Sequence, residues 1–284
     1  MINKKYKDRL FCLLFGNEEY KDNILSLYNA LCNTSYTNTD DIQIYTIEDV
    51  IYIKMKNDVS ILLDSFLYLW EQQSTFNPNM PIRGLLYFGK MYDKYIIENH
   101  LNIYGKMLIK LPTPKYTVLY NGMDEQPAFM QLRLSDSFIN PDTSGDFEWT
   151  ANMINLNDGK NDDLLDKCQP LKEYMILINE IRKNSENMKF EDAVDTAVTY
   201  CIEHNVLKSF LLRHRAEVLD VCITEYNEKS FVDGIREEGR KEGREEGQNL
   251  LATVVLRLRN GETPEQILAS GVDAKTIELA ETIK

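Results

Sequence analysis

Residues 58–74 decide the fold, and they read DVSILLDSFLYLWEQQS. Two apolar runs, 59–63 and 66–70, flank the polar pair Asp64-Ser65. Apolar runs of this length around two polar residues predict a β-hairpin, although Asp-Ser is a weaker turn signal than Asn-Gly. Because both runs are apolar throughout, we expect central strands that are buried on both faces.

The centre of the turn fixes which residues face one another across the hairpin. It aligns Ile61 with Tyr68 and, at the open end, Asp58 with Glu71. Directly opposed side chains point to the same face with Cβ atoms roughly 4.5–5.5 Å apart. Gln73, two residues beyond Glu71, joins that face. A slip of one residue would remove Asp58 from it.

Two carboxylates that face each other on buried strands require a counter-charge, since unpaired buried like charges are strongly unfavourable. Mg²⁺ supplies one, because it takes one or two carboxylates and keeps several waters. Such an ion orients and acidifies a water and stabilises developing phosphate charge. Gln73 can orient that water by hydrogen bonds but carries no positive charge. The structural alternative is that Asp58 lies in a turn and Glu71 ends a strand at the surface.

The hairpin overlaps three segments with a recognisable pattern: NDVS at 57–60, LWEQQST at 69–75 and NPNMPIR at 77–83. Together they resemble the recombination-promoting nuclease/putative transposase family of the PD-(D/E)XK nuclease superfamily. Further segments are similar to the same family: DRLF at 8–11, PTPK at 112–115, YNG at 120–122 and LSDSF at 134–138. The resemblance covers about residues 1–231. The tail, 232–284, is similar only in its general character, a glycine repeat.

The resemblance implies an α/β fold of mixed α+β type. It consists of a restriction-endonuclease-like core, with a central mixed β-sheet flanked by helices, and a helical C-terminal region. It also implies a metal-dependent DNA endonuclease that hydrolyses phosphodiester bonds, in a family associated with mobile elements and recombination. Asp58 matches the central metal-binding acid, and Glu71 matches the acid of the E-x-K signature. Gln73 stands where the superfamily usually has lysine. These three are the predicted catalytic residues, with Asp58 and Glu71 binding Mg²⁺ or Mn²⁺.

Other side chains are candidates for supporting roles. In many superfamily members an acid on the first helix assists, and neither motif nor spacing chooses among Glu18, Glu19 and Asp22. Weaker candidates for DNA contact are Ser74 and Thr75, for which capping or strand-end hydrogen bonds are the alternative. Arg83 is a further DNA-contact candidate, and an ion pair is the alternative for its guanidinium.

The composition is globular, with 284 residues of which 43% are hydrophobic and 27% charged. It excludes disordered, collagen-like and disulfide-scaffold proteins. The net charge of −13 argues against a nucleic-acid binder if it is taken over the whole chain. However, residues 1–120 carry 13 basic and 13 acidic residues, whereas residues 121–284 carry 19 and 32. The motif therefore lies in a neutral segment, and we expect weak, salt-sensitive DNA affinity.

The sequence predicts three regions: a nuclease-like core at 1–160, a helical extension packed on the core at 161–231, and a Gly/Glu/Arg-rich tail at 232–284. In the tail, glycine recurs about every four residues over 232–247. Each glycine costs a helix about 1 kcal/mol. This small-residue stripe indicates either self-association into a homo-oligomer or a solvated linker.

Residues that typically end or cap helices predict further elements along the chain. We expect a break between two helices at Gly16-Asn17, and a capping box with proline in the first turn at Thr263. Asp273 is expected to cap a last helix. Periodic or β-branched runs predict a helix at 82–97, helices within 171–231, and strands within 42–55, 116–120 and 147–156.

Localisation follows from signals that the sequence lacks. The five cysteines form no CxxC or Cys/His cluster, so neither disulfides nor a zinc site is expected. No run approaches the roughly 18 apolar residues of a membrane-spanning helix. We therefore expect a cytoplasmic protein that has DNA as its partner, no membrane and no small-molecule cofactor.

A second hypothesis retains the fold without the activity. Gln73 in place of lysine, the absence of a basic run and the acidic tail favour a catalytically weak or inactive nuclease-fold protein. Such a protein would act as a DNA- or protein-binding assembly module. Strand-transfer chemistry is less favoured, because no third acid stands at a matching spacing.

Overall fold

A computed structural model of the chain describes residues 6–45, 58–142, 144–222 and 250–283. The chain divides into two compact units, Met1–Tyr226 and Asn227–Lys284. The predicted regions 1–160 and 161–222 therefore belong to one unit as far as they are described. The glycine-rich segment 232–247 lies outside the described residues.

The first unit is built on a six-stranded mixed sheet in the order β1-β2-β3-β4-β6-β5. β3 pairs antiparallel with β2 and parallel with β4, so it is a central strand. β4 and β6 are also parallel, whereas β1 and β5 pair antiparallel at the two edges. The strands are β1 (Gln43–Ile44), β2 (Val59–Leu63), β3 (Phe66–Gln73), β4 (Thr113–Tyr120), β5 (Phe129–Arg133) and β6 (Thr150–Asn155).

The hairpin of β2 and β3 has the predicted register, with Ile61 opposite Tyr68. Its turn places Asp64 at φ 50° and Ser65 at φ 62°. Two consecutive left-handed residues are the signature of a type I′ turn, which matches the twist of the flanking strands. The hydroxyl of Tyr36 donates to the Asp64 carboxylate and so anchors this otherwise weak turn sequence.

Helices cover the sheet and form the second unit. The predicted break at Gly16-Asn17 is confirmed, because a short 3-10 turn, Glu18–Tyr20, separates the first two helices. In the first unit the α-helices are α1 (Tyr6–Phe15), α2 (Lys21–Cys32), α3 (Met80–Glu98), α4 (Asp162–Lys167), α5 (Gln169–Asn184), α6 (Phe190–Glu203) and α7 (208–222). In the second they are α8 (250–259), α9 (Pro264–Ala269) and α10 (Ala274–Ile283).

The two faces of the sheet bury different cores. Val59 and Trp70 pack with α1, α2, α5 and α6 on one face. Leu67 and Leu69 pack with α3 on the other. Because side chains alternate along a strand, Glu71 shares the α3 face with Leu67 and Leu69.

Sequence and structure differ most at the edge strands. β5 was not predicted, because only Leu132 in it is buried and the strand has no apolar run. The strand predicted within 42–55 is confirmed only as β1, and its Val50–Ile53 part lies outside the described residues. The strand predicted within 147–156 is confirmed as β6.

The second unit has a small core of its own. Its predicted capping box is present, since Thr263 and Gln266 exchange side-chain and backbone hydrogen bonds at the start of α9. Asp273 accepts from the backbone N–H of Thr276 at 3.0 Å and caps the last helix. In the described part of the chain, no helix combines the length and apolarity needed to cross a membrane.

Candidate functional site

Glu71 is the centre of the candidate site. Its side chain is 1% exposed, and β3 places it on the face that α3 covers. Gln73 Nε2 donates to Glu71 Oε1 at 2.7 Å, and the Tyr116 hydroxyl donates to Oε2. Arg83 forms an ion pair with Oε1. Burial raises the pKa of the Glu71 carboxyl, and Arg83, Tyr116 and Gln73 oppose that rise.

Asp58 immediately precedes β2, and the hairpin register extends to place it opposite Glu71. Its Oδ2 atom is buried and has no hydrogen-bond partner among the described residues. Burial raises the pKa of Asp58 well above its usual range, the Glu71 charge raises it further, and Arg83 lowers it. Asp58 is thus a half-buried acid with one buried, unused acceptor atom, beside a second acid.

Arg83 lies in the first turns of α3. Its Nε and Nη2 atoms donate to the Tyr87 hydroxyl at 3.2 and 3.0 Å, and the guanidinium lies 5.6 Å from the Tyr87 ring centroid. Burial lowers the pKa of Arg83, but the charges of Glu71 and Tyr87 outweigh it and raise the pKa overall. The Arg83 side chain is 25% exposed. Its guanidinium therefore extends from Glu71 to the surface. Of the two alternatives for Arg83, an ion pair and a contact with DNA, the structure shows the ion pair.

Tyr116 reaches Glu71 because β4 pairs with β3 and sets Tyr116 beside Leu69, on the same face as Glu71. α3 packs closely over the Tyr116 ring at Gly84. A Cβ atom added to Gly84 would lie 2.6 Å from the Tyr116 ring and 2.8 Å from Trp149 Nε1. Neither Tyr116 nor Gly84 is among the predicted site residues. The available signal was a glycine inside the apolar face of a helix, which often marks close packing.

The candidate acids after the first helix lie elsewhere. Glu18 pairs with Lys21 at 2.7 Å, and Glu19 pairs with Arg213. Asp22 is exposed. Among the acids of the N-terminal helices, it is Asp8 on α1 that raises the Asp58 pKa, in addition to burial and the Glu71 charge. Asp8 begins a segment that carries the family resemblance, but it is not among the predicted acids of the site.

Cys12 lies one turn after Asp8 on α1, and the same acidic side chains affect the pKa of its thiol. Burial raises the pKa of its thiol well above the usual range, and Asp58, Asp8 and Glu71 raise it further. Three acids from α1, β3 and the start of β2 therefore act on the thiol of this half-buried cysteine.

The remaining predicted residues follow Glu71 along the chain. Gln73 is half-buried and directs its amide to Glu71. Ser74 is 5% exposed, whereas Thr75 is exposed just beyond the strand end. Of this pair, only Thr75 has the accessibility that a contact with DNA requires.

The donor set suits a hard divalent cation. Mg²⁺ binds through one or two carboxylates and retains waters, and Asp58 offers a buried oxygen without a hydrogen bond. In the part of the chain that the structure describes, no three or more His, Cys, Asp or Glu side chains gather to hold a metal. A site here would therefore consist of two carboxylates completed by water, and Glu71 would share its oxygens with present donors.

The opposite face of the sheet carries a second polar network, whose residues are not among the predicted site residues. Gln72 Nε2 donates to Asn121 Oδ1 at 2.7 Å, and Asn121 Nδ2 donates to the Tyr174 hydroxyl at 3.4 Å. That hydroxyl donates to the Lys7 carbonyl at 3.1 Å. Arg182 donates to the Asn121 carbonyl. These contacts join the ends of β3 and β4 to α1 and α5.

Protein families, curated proteins and solved structures were compared with the chain, and none of them matches it. The geometry of the site therefore carries the functional argument.

Proposed function

We propose that this protein is a metal-dependent DNA endonuclease with a restriction-endonuclease-like core. One observation carries the proposal: the hairpin register, continued one residue beyond the Val59–Trp70 pair, sets Asp58 opposite the buried Glu71. Asp58 is half-buried, and its Oδ2 atom is buried without a hydrogen bond. Buried like charges are retained at functional sites because a charged ligand or substrate compensates them. The neutral charge of residues 1–120 is compatible with an approaching phosphate backbone.

Asp58 and Glu71 are the residues that would hold Mg²⁺ or Mn²⁺. When bound, the ion supplies Lewis acidity and lowers the pKa of water for attack on phosphorus. Tyr116 holds one Glu71 oxygen in place, and Gln73 holds the other. The Gln73 amide has a second N–H and a carbonyl oxygen that can orient water. Thr75 is accessible for a phosphate contact.

Plasmid nicking in Mg²⁺ tests the proposal. We expect Asp58→Asn and Glu71→Gln each to reduce the nicking rate by at least about 100-fold, because each removes a metal-binding charge while preserving shape. Asp93→Asn is the matched control, since Asp93 is an exposed acid on α3. The control should retain the wild-type rate, and cleavage that survives both site variants contradicts the assignment.

A second function is favoured by two features of Glu71: its ion pair with Arg83 and the glutamine at position 73. A nuclease fold closed by these contacts would bind nucleic acid or protein without cleaving it. Gel-shift assays with a labelled duplex in Mg²⁺ and in EDTA distinguish the two functions. Metal-independent binding without nicking supports the assembly role, whereas nicking that depends on Asp58 supports the enzyme.

A further inference from the structure

We infer that Arg83 and a divalent cation compete for Glu71, so that Arg83 acts as an internal counter-ion that metal binding releases toward the surface. The inference rests on the proposed metal site. It adds regulation of that site by a residue on α3, which neither metal binding nor cleavage requires by itself.

Both oxygens of the Glu71 carboxylate already contact donor groups. Arg83 and Gln73 both contact Oε1, and Tyr116 donates to Oε2. A cation that binds Oε1 would therefore lie beside the guanidinium. Two positive charges at such separation in a buried site repel strongly. Metal binding and the Arg83–Glu71 ion pair therefore oppose one another.

Arg83 would move away from Glu71 toward the surface. Its guanidinium already has partners away from Glu71, since Nε and Nη2 donate to the Tyr87 hydroxyl and Nη1 lies 3.8 Å from Met80 Sδ. At 25% exposure it also reaches solvent. A small rotation can thus break the contact with Glu71 while the hydrogen bonds to Tyr87 persist. The released guanidinium is then accessible to a phosphate, for which its planar donors are well suited.

Asp58 differs from Glu71 in its hydrogen bonding. It lacks a hydrogen bond at Oδ2, whereas Glu71 has three donors. Asp58 would therefore offer a cation an oxygen that no donor occupies, whereas Glu71 would offer its Oε1 only when Arg83 has withdrawn. This difference in hydrogen bonding between the two acids is what makes Arg83 the competing group.

Titration of Mn²⁺ into the full-length protein by calorimetry tests the competition. Because coupling between two ligands of one site is reciprocal, removal of the competing charge should tighten metal binding. We expect Arg83→Gln to bind Mn²⁺ about tenfold more tightly than wild type, within the usual range of coupling between sites. Arg83→Lys, which keeps the charge but loses the fork, should lie between them.

Lys94→Gln is the matched control. It removes one positive charge from the same helix, about 16 Å further along its axis, and should leave the Mn²⁺ affinity unchanged. A melting-temperature series in EDTA and in Mn²⁺ gives a second readout. Arg83→Gln should melt below wild type in EDTA and should gain more than wild type on addition of Mn²⁺, because the metal replaces the lost counter-ion.

The outcomes separate this inference from the proposed function. Equal or weaker Mn²⁺ affinity in Arg83→Gln overturns the competition, and so does absence of binding in both proteins. If Asp58-dependent nicking persists in either of those cases, the endonuclease proposal stands alone. Conversely, tighter Mn²⁺ binding by Arg83→Gln together with no nicking by wild type supports the competition and contradicts the endonuclease proposal.

Discussion

Glu71 and Gln72 are neighbours on β3, and each is 1% exposed, yet they face opposite sides of the sheet. Gln72 faces α1 and α5 and belongs to a network of amides, hydroxyls and backbone groups. Glu71 faces α3 and lies among charges. The Gln72 side includes the Arg182 guanidinium and leaves Gln72 Oε1 without a hydrogen bond. Glu71 instead lies beside a second acid and a counter-ion, which a buried charge needs. We therefore expect the Gln72 side to act mainly on stability and the Glu71 side to carry the proposed chemistry.

The largest effect on stability is expected when the charged side is made neutral by Asp58→Asn. Burial and the Glu71 charge raise the pKa of Asp58, so the folded protein binds this proton more tightly than the unfolded chain does. The stabilisation that protonated Asp58 contributes is fully present at pH values below its ordinary pKa of 3.8. It is lost as the pH rises through the pKa that Asp58 has in the folded protein. We expect the variant to match wild type near pH 4 in EDTA and to exceed it by about 3 kcal/mol at pH 8.

Urea unfolding at several pH values measures this effect. A stability difference that does not change with pH would show that Asp58 carries no raised pKa. Asp93→Asn, an exposed change on α3, should leave the pH profile of wild type unaltered.

Gly84→Ala tests how closely the charged side is packed. The added Cβ would lie 2.6 Å from the Tyr116 ring, so we expect a loss of about 2 kcal/mol. Displacement of Tyr116 should also slow nicking, because its hydroxyl holds Glu71. Gly89→Ala is the control on the same helix, since nothing lies within 4 Å of its added Cβ, and it should stabilise α3 slightly. Equal effects of the two substitutions would contradict the close approach.

Asn121→Ala breaks the network on the Gln72 side of the sheet. It leaves the Gln72 amide without its partner and should cost about 1.5 kcal/mol in urea unfolding. Nicking should stay within about twofold of wild type, because the network lies across the sheet from Glu71. Loss of activity without loss of stability would show that Asn121 supports the Glu71 site, and it would contradict the difference between the two sides of the sheet.

The smallest effect concerns the turn that sets the two acids opposite one another. Ser65 has a φ of 62°, which glycine adopts without strain. Ser65→Gly should therefore raise stability by about 0.5 kcal/mol, the relief of strain being partly offset by the entropy of the unfolded chain. Thermal melting measures the change, and a lower melting temperature would show that the Ser65 conformation is not strained.

The same comparison explains how much the sequence could predict. Two apolar runs around a polar pair specify a hairpin and its register, so the opposition of Asp58 and Glu71 follows from local rules. The mixed sheet flanked by helices is what the family resemblance implies, and the structure has such a sheet. Local rules do not give the remaining contacts of Glu71: its contact with Tyr116 depends on the pairing of β3 with β4, and its contact with Arg83 on how α3 packs on the sheet.

The acid on the first helix shows the same limit. Asp8, Glu18, Glu19 and Asp22 all occur within the first two predicted helices, and periodicity gives each helix a buried stripe but not its rotation over the sheet. The structure places Asp8 close enough to act on Asp58. That placement depends on the packing of α1 against β3, which no short segment of sequence encodes.

The hairpin also has a kinetic consequence. Asp58 and Glu71 are joined by a local pairing of the kind that forms within microseconds. The Tyr116 hydroxyl that restrains Glu71 lies 45 residues away along the chain, and it arrives only after α3 has folded back and β4 has docked. Contacts of such sequence separation form late. During folding the acid pair therefore assembles before its restraint, and conditions that protonate or ligate these acids should speed the passage from hairpin to complete sheet.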